Sequence, residues 1–159
     1  MSRQANLPTP ERMQVIALHN PATDTKGHRP GSPYIEHVYV SSLGPSATWL
    51  WQRLARVATA RPSTIIDMAD LAGSLGLGTN LGPNSAMSRT VNRLVLFDGA
   101  RRAGNTLAVR LALPDMPPNR LARLPASVRI AHQHLGGSPR PALDTSGSDA
   151  TRITEGVAV

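Results

Sequence analysis

Cysteine is absent from the 159-residue sequence. That excludes disulfides, thiolate zinc sites and a cysteine nucleophile. It also fits a reducing compartment, so a cytoplasmic protein with no membrane partner is expected. Long hydrophobic runs are missing too. No stretch approaches the roughly 18 apolar residues of a membrane span, and no charged start with an apolar run reads as a signal peptide. Common catalytic signatures are equally lacking, with no HExxH, no Walker glycine loop and no GxSxG. Gly73-Ser-Leu-Gly-Leu-Gly78 is glycine-rich but reads as a helix end. His132-Gln-His134 carries two imidazoles, yet residues two apart on a helix point about 200° apart and cannot chelate one ion together. No enzymatic activity, cofactor or metal is expected. No internal repeat is present, and the length suits one domain, two at most.

What the chain does have is arginine. Sixteen arginines stand against one lysine, and the net charge is +7. Residues 44–135 hold eleven arginines and four aspartates, which accounts for the whole excess. Arginine suits bidentate contacts to phosphate and guanine, although a bias in base composition would produce the same usage. A basic folded segment raises the expectation of a polyanionic partner, most simply nucleic acid.

Hydrophobic residues make up 40%, and there are 13 glycines and 14 prolines, so part of the chain is expected to lie outside a packed core. Residues 1–33 show little periodicity beyond one short strand over Met13–Leu18, and Asn20–Pro33 reads as a polar linker. Residues 136–159 are small and polar and are predicted to be a disordered tail. The division is therefore a flexible segment over 1–33, a folded domain over 34–135, and the tail. Tyr34–Val40 alternates as a strand does, while Pro33 would equally open a helical turn, and both alternatives stand.

Within 34–135 the patterns are sharper. Pro45 suits the first position of a helix on which Ala47, Leu50, Trp51, Leu54 and Ala58 form one apolar stripe. Gln52, Arg53 and Arg56 fall on its other side, and Arg61-Pro62 ends it. Ser63–Ile66 reads as a small strand. Asp67 caps a second helix, with Asp70 near its positive end, and Met68, Leu71, Ala72 and Leu75 form the stripe. Gly76 suits the position just past the end. A third helix, capped by Asn84 or Ser85, turns Met87, Val91, Leu94 and Val95 inward. Ser85, Ser88, Arg89, Asn92 and Arg93 are placed outward. A hairpin over 100–113 turns at Ala103-Gly104-Asn105 and puts Leu107, Val109, Leu111 and Leu113 on one face. Two short helices, 119–124 and 127–135, are split by Pro125. The fold class read from these patterns is mainly α with a small β-hairpin (α+β).

This order of elements resembles the winged helix-turn-helix family. Asp67-Met-Ala-Asp-Leu-Ala72, Leu75-Gly76-Leu77, Asn84-Ser85 and Ser88-Arg89-Thr90-Val91-Asn92-Arg93-Leu94 are similar to its ΦxxLAxxLGΦ … S … ΦxRxΦxxL signature, with Gly99–Leu113 as the wing. The resemblance covers residues 44–113, followed by two extra helices. It departs in the turn Gly76–Asn84, nine residues where compact members have three or four.

The resemblance implies a double-stranded DNA-binding protein, expected as a transcriptional regulator. Its third helix (85–97) would enter the major groove, and its wing (100–113) would lie on the backbone or in the minor groove. Arg89 and Arg93, one turn apart, would grip guanine and Asn92 adenine. Ser85 and Ser88 would take a phosphate at the helix start. Arg101 and Arg102 would act from the wing. Arg53, Arg56, Arg120 and Arg123 are expected on an ordinary solvated face, and Trp49 and Trp51 in the core or at a dimer surface. A homodimer is expected on the general ground that such readers pair to match two half-sites.

Two other expectations stand beside this one. Val38–Ala47 resembles the primosome-type winged helices, which implies a replication or mobile-element accessory factor. The long turn and the helices at 119–135 favour a module with a protein partner, since the winged-helix fold does not fix function.

Overall fold

The computed structural model of the chain describes residues 6–136. The expected tail over 137–159 and the first five residues lie outside the described residues. Four strands form one sheet in the order β2-β1-β4-β3: β1 (Arg12–Leu18), β2 (Ser63–Asp67), β3 (Ala100–Ala103) and β4 (Thr106–Arg110). The helices are α1 (Pro21–Lys26), a π-helical turn (Ile35–Tyr39) running into α2 (Val40–Leu43), α3 (Pro45–Ala60), α4 (Met68–Ser74), α5 (Ala86–Leu96), α6 (Pro118–Leu121) and α7 (Ala126–Leu135). The class is α+β. Among the described residues no helix is long and apolar enough to cross a membrane.

The sequence reading is corrected most at the N-terminal end. Far from a flexible segment separated at 33/34, residues 12–18 are an inner strand of the sheet. β1 runs antiparallel to β2, with Met13 opposite Ile66, and parallel to β4, with Val15 opposite Leu107. Its side chains follow the two-residue period: Met13 and Val15 are fully buried, while Arg12 and Gln14 face out. The expected hairpin is thus half of a four-stranded sheet. The polar linker expected over Asn20–Pro33 also contains structure. Asn20 Oδ1 accepts from the Thr23 amide at 3.3 Å, and Pro21 takes the first helical position of α1. His28 then exchanges backbone hydrogen bonds with Leu113, at 2.7 and 2.9 Å. Of the two readings left for Tyr34–Val40, the helical turn is the one observed.

α3 packs on the buried face of the sheet. Ala47, Leu50, Trp51, Leu54 and Ala58 are all buried along its inner side. The Trp51 indole N–H donates to the Arg110 carbonyl at 3.0 Å, pinning α3 to the end of β4. Trp49 lies on the outer side, 58% exposed. Gln52 is a correction to the expected outward face. It is buried, and the desolvation is offset because its Oε1 accepts the Gly31 amide at 2.6 Å. Met68, Leu71, Met87, Val91, Leu94, Leu107 and Val109 belong to the same core, as do Ile35, Val38 and Leu43 of the 35–43 helical turn.

α4 is capped as expected, with the Asp67 carboxylate accepting from the Asp70 amide at 3.0 Å. It ends in a paired C-cap: Leu77 N–H reaches Ala72 O at 2.9 Å and Gly76 N–H reaches Gly73 O at 3.0 Å. That closure requires the left-handed φ of +73° at Gly76, which suits a glycine. At the far end of the fold, α7 packs against the 34–39 turn. The Tyr34 hydroxyl accepts from the Met116 amide at 2.8 Å and lies 2.7 Å from His132 Nδ1. Its ring stacks on His28, and His28 Nε2 meets Asp115 Oδ1 at 2.5 Å. Burial pushes the Tyr34 hydroxyl up to about 12, so it stays protonated at neutral pH.

Candidate nucleic-acid interface

The exposed side of α5 borders an open groove of about 1360 Å³. One end is formed by the α2–α3 junction, Leu43 to Ala47, and the other by the β3–β4 turn and residues 6–7. Arg89, Arg93 and Arg102 line it, and no aspartate or glutamate does. Gly44, at φ +82°, makes the sharp corner between α2 and α3 that opens this end.

Only part of the expected set of contacts is free within this groove. Arg89 is exposed, and its guanidinium has no hydrogen-bond or ion-pair partner among the described residues. Arg93, one turn on, is tethered: its Nε donates to Leu43 O at 2.5 Å and its Nη2 to Ser42 O at 2.7 Å. The guanidinium also sits 5.0 Å from the Phe97 ring centroid, and Arg120 approaches the same ring at 4.8 Å. Asn92 uses both amide hydrogens within the chain, on Ser88 O at 2.7 Å and Leu7 O at 3.1 Å. Arg102 Nη2 donates to Pro8 O at 2.7 Å.

Neither serine is available for a phosphate. Ser85 is the N-cap: its Oγ accepts from the Ser88 amide at 3.1 Å and donates to Gly82 O at 2.7 Å. Ser88 is fully buried; its Oγ donates to Leu81 O at 3.0 Å and accepts from the Thr9 amide at 3.1 Å. Thr9 Oγ1 completes this group at 2.8 Å. The two hydroxyls fasten the α4–α5 loop and the N-terminal segment to α5 instead.

The wing pair divides by strand alternation. Arg102 turns to the groove, while Arg101 faces away, 3.8 Å from Asp98. Asp98 holds φ +61°, which aspartate tolerates better than most residues. Arg110 grips it twice, through Nε to the Asp98 carbonyl and Nη2 to its carboxylate, each at 2.6 Å. This clamp fixes where β3 leaves α5 and so sets the hairpin's angle to the groove.

Sequence reasoning missed three contributors: the wall made by residues 6–7, the Phe97 ring flanked by Arg93 and Arg120, and the α2–α3 corner. Only the last had a local signal, the Gly44-Pro45 pair. Comparison with models of known protein families, with curated proteins and with solved structures finds no match to this chain.

Proposed function

We propose that the chain is a winged-helix protein that binds double-stranded DNA through the groove along α5. One observation carries the reading: the groove gathers three arginines and no carboxylate, although the described residues include seven aspartates and glutamates. A surface of that kind attracts a polyanion without a self-repelling patch. The element order supports the family reading, with α3, β2, α4, α5 and the β3–β4 ribbon in winged-helix sequence and β1 added between β2 and β4. In this reading α5 enters the major groove, and Arg89 is the side chain free to reach guanine acceptors. Arg102 meets the backbone beside it, and Arg93 holds the α2–α3 corner at its working angle. The chain acts by occupying DNA, the simplest role being regulation of transcription.

Fluorescence anisotropy with random-sequence duplex at several salt concentrations tests this. Affinity is expected to fall linearly on a log–log plot, and Arg89→Ala is expected to weaken binding by roughly 1–3 kcal/mol. Leu96, 71% exposed, and Leu7, 54% exposed, favour a second reading in which the same groove takes a protein segment. Duplex binding that is absent near physiological ionic strength selects that second reading.

A further inference from the structure

Residues 6–9 cross the furrow between α5 and the β3–β4 turn, where two of their carbonyls hold groove side chains and Thr9 anchors them on buried groups behind it. Leu7 O accepts from Asn92 and Pro8 O from Arg102, while Thr9 is anchored on Leu81 O and Ser88 Oγ. The anchor is firm: Thr9 is only 5% exposed. The part beyond it is not. Leu7 leaves about half its surface in solvent, so little apolar burial holds it down. Closure also carries a cost, because Arg102 Nη1 is shut away from solvent with no hydrogen-bond partner among the described residues. A buried cationic donor without an acceptor is unfavourable, and lifting the segment would release it to water or to a phosphate.

From these contacts we infer that Asn6, Leu7 and Pro8 form a strap, hinged at Thr9, that duplex DNA displaces as it enters the groove. The inference rests on the duplex-binding reading above. The strap holds Asn92 and Arg102 through its own carbonyls, which occupy positions that acceptors on a base edge and a backbone phosphate would take over. With the strap closed, Arg89 is the free reader and binding is tolerant of sequence. With it lifted, Asn92 regains an amide hydrogen for adenine, and Arg102 regains its whole fork.

Two measurements on the full chain test this. Leu7→Gly/Pro8→Gly loosens the strap by enlarging its conformational freedom when released, without touching a groove side chain from α5 or the hairpin. It is expected to bind random duplex roughly tenfold tighter than wild type. The lack of cysteine allows a single nitroxide at Leu7→Cys, whose spectrum is expected to sharpen when duplex is added. Tighter binding by the loosened variant, with a gain in label mobility when duplex is added, supports the strap. Duplex binding with unchanged or weaker affinity in the variant and no gain in label mobility overturns the strap and leaves the duplex reading in place. If neither wild type nor the loosened variant binds duplex at any salt concentration, both fall together.

Discussion

Arg93 and Arg89 stand one turn apart on the same face of α5, yet removing each should have a different consequence. Arg93→Ala deletes two hydrogen bonds from a charged donor, to Leu43 O and Ser42 O, and a guanidinium lying against Phe97. Such bonds contribute about 1.5–3 kcal/mol each when sheltered. Arg93 is an exposed residue, so water re-solvates both carbonyls and the lower end applies once for the pair. Adding about 0.5–1 kcal/mol for the ring contact gives a net loss of about 2–2.5 kcal/mol. Arg89→Ala removes no such contact and should stay within about 0.5 kcal/mol of wild type. With a urea slope of roughly 2 kcal/mol per molar, Arg93→Ala should move the unfolding midpoint by about 1 M, and Arg89→Ala should barely move it. Urea titrations followed by circular dichroism resolve that difference easily. Equal midpoints for the two variants would refute the argument that Arg93 holds the α2–α3 corner.

Three further outcomes are expected. Both tyrosines are buried, and burial raises the Tyr34 hydroxyl to about 12 and raises Tyr39 as well. The folded state therefore keeps these protons longer than the unfolded chain, so their stabilisation is complete below the ordinary value of about 10 and is lost as pH rises through the folded value. A phenolate titration with its midpoint near 10 while the fold stays intact would contradict this. Amides of β1 should exchange as slowly as those of β4, because β1 is paired on both sides; rapid exchange over 12–18 would restore the flexible-segment expectation. Ser88→Ala should cost about 1–3 kcal/mol in thermal or urea unfolding, since it strands the buried Thr9 hydroxyl and leaves the Leu81 carbonyl with the Thr9 amide alone, and a neutral result would mean water replaces the lost group.

The helices over 45–60, 68–74 and 86–96 were legible because each has a stripe at helical spacing and a punctuating residue. The stripes also locate nearly half of the core, from Leu50 and Trp51 through Leu71 to Val91 and Leu94. β1 shows the limit of such reading. Its two-residue alternation is visible at Met13 and Val15, but its central place comes from partners about fifty and ninety residues away, which no local pattern announces. α1 was hidden because Asn20–Pro33 reads as one polar linker, although Asn20-Pro21 is equally a helix start. In the candidate site, residue type was legible and availability was not. Ser88 lies about 100° from Met87 on the helical wheel, at the margin of the stripe, so the chain can turn it inward. Asn92 and Arg102 carry base-reading and phosphate-binding chemistry, but the carbonyls that occupy them belong to a segment with no signal of its own.

The groove's assignment as the duplex-binding surface can be tested directly by amide hydrogen exchange of the chain saturated with duplex DNA. Protection is expected over 43–47, along 89–96 and at the β3–β4 turn, with no change in α7 or β2. Protection centred on α7 or on the exposed Ile65 of β2, with the α5 face unchanged, would contradict the account.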